Sequence, residues 1–442
     1  MHTVHSGFSV VAPLKTCKDE KIVKEILTGL NNDPGNNFLP FSKSPSTLSA
    51  SGIVIPVQPY GEENLPATLL LFTSYCGSFQ NHLDELIKIG APGLRQLFQY
   101  CIDFPPDALT CDQTLKKYLI SHRSPDTYYS GIQHISSTDI KREEELRKEI
   151  SEFLCQNQQN GINNKHGEIR KQIQKHIIEK KDEFLWAQEQ VKITFMDYWV
   201  LFGPAILYSF LLLILLSGLL ISIKTNKGIF LYLRFIGIIL LALIAFFAIK
   251  FRLNELDKNQ KIADQPNYDR LRTLAASQNH LVINEMTAAG PLKKGWIRRA
   301  LLRSVLKIVS LVTGLVNITT VVSARWLSID RGKRLVFISN YANMSESYVR
   351  DFIDRRSSQK MINLLFGHCE GYPPTKWLLG EGAINNLQGF MNVVQTDQHV
   401  AQLWYCTYNH LSADNIKNNR KIRNGLFAKL GRKEIEKWLR LL

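Results

Sequence analysis

Residues 200–223 of this 442-residue chain read VLFGPAILYSFLLLILLSGLLISI, and residues 229–249 read IFLYLRFIGIILLALIAFFAI. The first run carries no charge, and the second carries one, Arg234, close to its start. Each run is long enough to cross a hydrocarbon core of roughly 30 Å as a helix. An arginine near the end of such a helix can reach the interface with its long side chain. The two runs therefore predict a transmembrane helical hairpin, assigned to residues 198–250, rather than a pair of core helices.

Basic residues around the hairpin bear on its orientation. The tight loop carries Lys224 and Lys227. The outer flanks carry more basic residues, namely Lys180, Lys181, Lys192, Lys250, Arg252, Lys258 and Lys261. The positive-inside rule places the richer side in the cytoplasm. We therefore expect a multi-pass membrane protein with two spans and both termini in the cytoplasm.

Composition narrows the classes of partner and cofactor. The net charge of +15 favours anionic membrane surfaces, and no nucleic-acid-binding motif accompanies it, so nucleic acid is not an expected partner. The seven cysteines include no CxxC pair, so neither a disulfide framework nor a metal site is predicted. The usual signatures of NTP hydrolysis, Rossmann cofactors, zincins and α/β-hydrolases do not occur in the sequence. No cofactor is predicted from these motifs.

Three blocks of sequence before the hairpin recur after it. The matching pairs are LLLFTSY (69–75) with LVFISNY (335–341), LFQYCIDFPPD (97–107) with LFGHCEGYPPT (365–375), and the segments 128–154 and 404–430. Such self-similarity indicates a duplicated structural unit. In the first copy the predicted elements follow the order βαββαβ, which is the ferredoxin-like motif. We therefore predict an α+β fold with two ferredoxin-like repeats and a transmembrane hairpin between them.

These assignments divide the chain into six consecutive parts. They are the first repeat (1–136), a charged helical stalk (137–197), the hairpin (198–250), a linker (251–278), the second repeat (279–430) and a C-terminal helix (431–442). Each repeat buries one sheet face under its own helices and leaves the other face open. The two copies are expected to pair through these faces within the chain, with a cavity between or beside the sheets. Pairing with another protomer is the alternative.

The first helix of the second repeat, predicted over 291–318, is much more basic than its counterpart at 18–30. The residues assigned to lipid binding on it are Lys293, Lys294, Trp296, Arg298, Arg299, Arg303 and Lys307. Apolar residues beside them, including Leu301, Leu302 and Val305, can form a broad face. A basic amphipathic helix is typical of an anionic membrane surface. Two alternatives stay open: a core helix with a basic outer side, and a third span over 308–324.

The densest polar cluster is GHCEGYPP at 367–374. Its residues His368, Glu370 and Tyr372 are candidates for acid–base catalysis, because histidine and glutamate are the usual proton-transfer groups. The alternative is purely structural, with Gly371 as the C-cap of a helix that the following prolines end. The first copy has different residues at these positions, so a site here would belong mainly to the second copy.

Several blocks carry a resemblance to known proteins: VVAPLK (10–15), the segment Gly290–Leu302, LFGHCEGYPPT, SARWLSIDRGKRLVFISNY (323–341) and LWYCTYNHLSADNIKNNRKIRNGL (403–426). Through them the chain resembles a family of poorly characterised bacterial membrane proteins. The resemblance implies a duplicated ferredoxin-like architecture of the dimeric α/β-barrel type around a hairpin in the bacterial inner membrane. More distantly, this architecture is similar to that of dye-decolorising peroxidases, which would imply haem. His368 and His399 are the candidate ligands, but the GxxDG-type haem motif is missing.

Three functions are consistent with these features. The first is a membrane protein of unassigned activity whose paired domains bind a partner or a small apolar ligand at the cytoplasmic membrane surface. The second is a haem- or ligand-dependent oxidoreductase of the dimeric α/β-barrel type. The third is a protein that binds anionic lipid headgroups through the basic helix. The motifs leave open whether the protein is an enzyme.

Overall fold

A computed structural model describes residues 3–32, 37–158, 166–189, 191, 193–224, 228–256, 260–277, 282–315, 320–342, 348 and 356–442. The strands before the hairpin are β1 (His5–Pro13), β2 (Thr47–Ile55), β3 (Gln58–Tyr60), β4 (Glu63–Leu65), β5 (Thr68–Cys76) and β6 (Thr127–Ser130). Those after it are β7 (Ile283–Pro291), β8 (Val321–Ile329), β9 (Arg334–Ala342), β10 (Thr375–Lys376), β11 (Gly380–Glu381), β12 (Gln398–His399) and β13 (Leu403–Cys406).

Helices make up most of the remaining described chain. Those up to the end of the hairpin are α1 (Cys17–Asn32), α2 (Phe79–Phe98), α3 (Asp112–Ser121), α4 (Ser137–Gln158), α5 (His166–Glu179), α6 (Lys181–Phe184), α7 (Phe195–Lys224) and α8 (Ile229–Glu255). Those that follow are α9 (Tyr268–Ser277), α10 (Trp296–Val312), α11 (Arg356–Phe366), α12 (Leu387–Asp397), α13 (Ala413–Leu426) and α14 (Arg432–Leu439). The chain is thus a mixed helix-and-sheet protein.

The last strand of each half lies on the sheet of the other half. The first sheet has the order β1–β5–β2–β13, and the second has the order β12–β7–β9–β8–β6. In the first sheet Trp404 of β13 lies opposite Ser51, and in the second Tyr129 of β6 lies opposite Ala324. Within the described residues, only short pieces, such as the bridge between Val10 and Arg123, return to the first strand of the same half. Neither half therefore completes its sheet from its own strands.

Local details recur in the two halves. Both second strands have a register shift, between Thr47 and Ser49 in one half and between Val321 and Ser323 in the other. The isolated bridges Leu14–Cys101 and Leu292–Cys369 match in the same way, as do the hydrogen bonds from Lys15 N to Tyr100 O (2.9 Å) and from Lys293 N to His368 O (2.8 Å). These details follow the same order along the chain in each half.

The two sheets pack face to face, and helices cover their outer faces. The apolar part of the shared layer includes Ile53, Leu70 and Phe72 from the first sheet and Leu327 and Val336 from the second. Alternation along each strand places these side chains on one face and the helix-facing residues on the other. Helices α1 to α3 cover the first sheet, and α10 to α12 cover the second.

Towards one end, the layer between the sheets becomes polar. The guanidinium group of Arg325, in the second half, donates to Ser9 Oγ (3.1 Å), Thr73 O (3.0 Å) and Ser74 Oγ (2.8 Å), all in the first half. It also lies 3.5 Å from Asp126 Oδ2. The side chains here leave a space of about 10 Å³, which is room for a single water molecule. The cavity expected between the sheets is therefore filled by side chains at this place.

The segment assigned as a charged helical stalk (137–197) packs on the C-terminal helices. Arg423 of α13 donates to Glu143 Oε1 of α4 (3.1 Å), and Arg147 of α4 donates to Asn419 Oδ1 of α13 (3.4 Å). Helix α5 adds apolar residues to the same cluster, in which Trp438 of α14 is buried. The high charge of this stretch misled the prediction, because several charges pair across the helix contact.

The segment assigned as a linker also packs on the body. It contains α9, whose Arg270 donates to the carbonyl oxygens of Gln395 (3.1 Å), Thr396 (2.7 Å) and Gln398 (2.7 Å). These carbonyls lie at the C-terminal end of α12, where a cation interacts favourably with the helix dipole. The polar composition of 251–278 therefore does not mark a free connection.

Helix α2 is continuous through Pro92, although the sequence Pro92-Gly93 predicts a break. Proline removes a hydrogen bond from a helix interior. The next amide group, Gly93 N, finds a partner outside the helix, Phe38 O, at 2.9 Å. A Cβ on Gly93 would lie 2.6 Å from that oxygen, so glycine permits this close approach. The tertiary contact keeps the helix continuous.

Within the described residues, two helices are long and apolar enough to cross a membrane, over Phe195–Gly218 and Arg234–Glu255. They pair with each other as α7 and α8, and most of their side chains are exposed. The alternative of a third span over 308–324 does not fit the described part of that segment, because β8 starts at Val321; residues 316–319 lie outside the described residues.

Both outer ends of the hairpin are fastened to the body. At the start of α7, Asp197 accepts from Thr194 N (2.7 Å) and from Thr3 Oγ1 (3.0 Å) near the N-terminus. At the end of α8, the buried carboxylate of Glu255 accepts from Thr375 Oγ1 (2.7 Å). Glu255 and Asp197 thus each join an apolar helix to the folded body through several hydrogen bonds. The hairpin is therefore held in a defined direction.

Candidate functional site

Helix α10 is a core helix on one side and a basic surface on the other. Leu302, Val305 and Val309 are buried against the second sheet. The expectation that these residues form a membrane-facing apolar side is therefore corrected. Trp296 is 60 % exposed and Ile308 is 61 % exposed, so the open side still carries large apolar groups.

Arg298 belongs to the buried side of α10 and not to its surface. Its side chain is 3 % exposed, donates from Nη1 to Gly367 O (3.3 Å) and bonds Asn254 Oδ1. The guanidinium carbon lies 5.1 Å from the ring centre of Phe251, on α8. The assignment of Arg298 to lipid binding is thus corrected: it links α10 to the end of the hairpin.

The other basic residues of α10 surround its open side. Trp296, Arg303 and Lys307 are exposed and follow a spacing that places them on one face of a helix. Nearby, Arg303 Nη2 donates to Arg331 O at 3.4 Å, in the turn between β8 and β9. Lys294 precedes the helix and lies 5.9 Å from the ring centre of Tyr60. We call Lys294, Arg299, Arg303, Lys307 and Arg331 the basic patch.

Helix α10 lies across the hairpin. The ring of Trp296 contacts that of Phe247 on α8, with 5.3 Å between ring centres, and Lys307 Nζ lies 5.9 Å from the ring centre of Tyr208 on α7. Beyond Tyr208, α7 continues for 16 residues (209–224), and α8 begins 18 residues before Phe247 (229–246). At 1.5 Å per residue these lengths are about 24 and 27 Å. Trp296 and Lys307 therefore lie at nearly the same height along the hairpin.

His368 lies beneath this helix as a buried imidazole. Its side chain is 1 % exposed, and neither ring nitrogen has a hydrogen-bond partner among the described residues. Burial lowers the pKa of His368 to about 3, and the neighbouring cations Arg298 and Lys293 act in the same direction. Its ring is 6.4 Å from that of Phe251. The imidazole is thus neutral and poorly placed to exchange protons with solvent.

The remaining residues of the cluster do not assemble into an acid–base site with His368. Tyr372 donates from its hydroxyl to Asn363 Oδ1 (2.7 Å), inside the second half. Burial raises the pKa of Glu370, while Lys294 and Lys293 lower it. Gly371 has a φ of +76°, but α11 already ends at Phe366 and Gly371 forms an isolated bridge with Ile262, so the prediction that it caps a helix is wrong. The geometry supports a structural role for this segment better than a catalytic one.

Lys293 links this cluster to the start of α10. Its Nζ donates to Gly367 O (3.4 Å) and Tyr372 O (3.3 Å). Burial lowers the pKa of Lys293 to about 8, helped by the nearby Arg298. The matching residue before the hairpin, Lys15, makes a similar bond to Gln99 O (2.7 Å). Lys293 is therefore better described as a structural residue than as a lipid contact.

His399 lies in β12, opposite Thr287. Burial lowers the pKa of His399 to about 4, and Arg270 contributes to that shift. A haem requires a pocket of several hundred Å³ and an accessible ring nitrogen. The nearly complete enclosure of His368 leaves no such approach, so its surroundings do not fit an axial haem ligand.

The sequence reasoning missed the residues that couple the hairpin to the body. They are Asp197, Phe251 and Glu255, together with the cross-sheet Arg325. One signal was present: Asp197 and Glu255 are acidic residues placed just at the two outer ends of the apolar runs. A charge at such a position is costly unless it is paired, which makes it a candidate for a structural contact.

Comparison with known proteins gives no assignment: no protein-family model matches the chain, and no curated protein matches it.

Proposed function

We propose that this is an integral membrane protein whose hairpin spans the bilayer and whose basic patch binds anionic lipid headgroups at the cytoplasmic surface. The observation that carries the proposal is the position of α10 across the hairpin. Trp296 and Lys307 lie where about 27 Å of α8 and about 24 Å of α7 remain, close to the thickness of a hydrocarbon core of roughly 30 Å. The open side of α10 then lies at the headgroup level.

The side chains at this level suit a lipid interface. Tryptophan and tyrosine favour the boundary between headgroups and acyl chains, where Trp296 and Tyr208 would lie. Each basic residue near an anionic surface contributes about 1 kcal/mol to binding. Arg303, Lys307 and Arg331 are exposed and have no ion-pair partner within 4 Å among the described residues. They are therefore free to meet lipid phosphates.

The same proposal includes the fold of the body. We infer that the halves are ferredoxin-like repeats that pair within the chain as a dimeric α/β-barrel-type unit, with their last strands exchanged. The matched register shifts, bridges and hydrogen bonds support this inference, and so does the shared layer between the sheets. Placement in a bacterial inner membrane follows from the family resemblance and remains part of the proposal.

The lipid-binding proposal predicts a selective effect of removing two cations. Arg303→Gln with Lys307→Gln is expected to weaken binding of phosphatidylglycerol by about 30-fold, because two charges contribute about 2 kcal/mol. Binding is measured on the full-length protein in neutral detergent, by titrating short-chain phosphatidylglycerol or phosphatidylcholine and following the rise in unfolding temperature. Added salt should weaken the phosphatidylglycerol effect.

A matched control is the pair Lys18→Gln and Lys21→Gln, on the exposed side of α1, the counterpart of α10 in the first half. It removes the same charge and should leave lipid binding unchanged. If the two double variants lose binding equally, net charge and not the basic patch is responsible. If wild type responds equally to the two lipids, headgroup recognition by α10 is wrong.

A further inference from the structure

A short hairpin between β10 and β11 has an unusual backbone. Trp377, Leu378 and Glu381 have φ angles of +56°, +57° and +56°, in the left-handed region that residues other than glycine seldom occupy. The strands on either side pair Thr375 with Glu381 and Lys376 with Gly380. Three strained residues in one seven-residue segment indicate that neighbouring groups hold this conformation and that it serves a purpose.

The group that holds it belongs to the apolar hairpin. The carboxylate of Glu255, on the last turn of α8, accepts from Trp377 N (2.8 Å) and Leu378 N (3.0 Å), as well as from Thr375 Oγ1. Arg252 completes the cluster with an ion pair to Glu255 (2.8 Å). Two successive backbone amides on one buried carboxylate fix the turn relative to α8.

The strained turn sends two apolar side chains outward. Trp377 is 47 % exposed and Leu379 is 50 % exposed, whereas Leu378 between them is 2 % exposed. The buried Leu378 acts as the internal anchor of the turn. Large apolar groups held outward in this way indicate a surface that meets something other than water.

The place of the turn along α8 indicates what it meets. The guanidinium carbon of Arg252 lies 5.9 Å from the ring centre of Trp377. Arg252 is five residues beyond Phe247, the contact of Trp296, which is about 7.5 Å along the helix. The headgroup layer on each side of a bilayer is roughly 5–7 Å thick. Trp377 is therefore attached within reach of that layer, on the same side as α10.

We propose that Trp377 and Leu379 form a second, apolar contact between the body and the lipid interface, aimed by Glu255. This inference rests on the proposed membrane placement, and it assigns the contact to a part of the chain far from α10 in sequence. The indole ring suits this layer because its apolar body and polar N–H face different surroundings. With α10, the turn gives the body a second contact with the interface farther along α8, so the membrane limits its tilt.

Quenching of tryptophan fluorescence tests this contact in full-length protein reconstituted in phosphatidylcholine vesicles. The quenchers are phosphatidylcholine brominated near the top of the acyl chains and water-soluble acrylamide. Trp377→Phe should remove fluorescence that the brominated lipid quenches and acrylamide does not. Trp438→Phe is the control, because Trp438 is buried in the body at 4 % exposure and should not respond to lipid bromine. In Glu255→Gln, Trp377 should be quenched less by the brominated lipid and more by acrylamide than in wild type.

The outcomes separate this inference from the membrane proposal. If Trp377 is quenched by acrylamide alone while Trp296 still responds to lipid bromine, the turn faces water and the second contact is wrong. If neither quencher reaches Trp377, a protein surface covers it, which also overturns the lipid contact. If lipid bromine quenches no tryptophan, the proposed membrane placement itself fails.

Discussion

Leu403→Ala is expected to destabilise the first sheet, although Leu403 lies in the second half of the chain. Its side chain is 3 % exposed and packs in the core beneath the first sheet, opposite Gly52 of β2. Removing a buried leucine side chain typically costs 2–5 kcal/mol. Hydrogen–deuterium exchange of the full-length protein in detergent should show faster exchange in Thr47–Ile55 than in wild type, and much less change in Arg334–Ala342.

Leu302→Ala is the matched control, because Leu302 is fully buried under the second sheet. It removes the same atoms and should speed exchange mainly in the second sheet. A reciprocal effect is expected from Tyr129→Ala, since Tyr129 belongs to the first half but is buried in the core of the second. Faster exchange confined to the mutated residue's own half would contradict the exchange of strands.

The sequence predicted the helices and strands better than it predicted which strands pair with each other. Amphipathic spacing placed the first helix at 18–30, close to α1, with an apolar face of Ile22, Ile26, Leu27 and Leu30. Leu27 and Leu30 are buried, but Ile22 is 39 % exposed and Val23 is buried instead. The alternation of side chains in β6 and β13 is compatible with pairing to either sheet, so it does not predict which sheet each strand joins. Strand exchange depends on which edge is free after the helices pack, and a local pattern carries no such information.

Tertiary contacts also determine whether a charged side chain is buried or exposed. A basic helix pattern predicts a charged side for α10, but Arg298 turns inward because Gly367 O and Asn254 accept its hydrogen bonds. These partners come from distant parts of the chain. The apolar run before Glu255 was visible in the sequence, whereas the turn that its carboxylate organises was not.

At the candidate site, too, local patterns were predicted correctly and tertiary contacts were not. The sequence predicted a basic surface next to a membrane hairpin, and the structure brings both together at one height. The catalytic candidates were chosen by residue type alone, and burial then separated them from solvent. His368 has the right chemistry for proton transfer, but it is buried and has no hydrogen-bond partner in the part of the chain that the structure describes. Both properties depend on the whole fold.

Acid is expected to unfold the protein through buried histidines. Burial lowers the pKa of His5, His82 and His368 to about 3 and that of His399 to about 4. Below pH 6.5 these histidines bind protons in the unfolded chain but stay neutral in the folded one. Each histidine therefore lowers the free energy of unfolding as the pH falls. At pH 5 the loss is about 2 kcal/mol for each, or about 8 kcal/mol together.

Two carboxyl groups oppose this effect. Burial raises the pKa of Glu285 and Asp397 to about 7, so the folded state binds their protons first and gains stability between pH 7 and about 4. At pH 5 this gain is about 5 kcal/mol for the pair. The opposing slopes nearly cancel around pH 7. Below that pH the four histidines outweigh the two acids, and the unfolding temperature should fall steeply.

His368→Leu tests the contribution of one buried histidine to this loss of stability in acid. His5 and His82 use both ring nitrogens in hydrogen bonds, for example His82 with Thr73 Oγ1 at 2.7 Å, so replacing them also leaves partners unpaired. His368 has no such partners among the described residues, so leucine should raise stability at pH 7.5 by about 1–3 kcal/mol. It should also move the acid midpoint down by about half a pH unit, measured by thermal unfolding in detergent from pH 7.5 to 4.5. Lower stability at pH 7.5 would contradict this expectation and would mean that the packing of the imidazole in this site outweighs the cost of burying it.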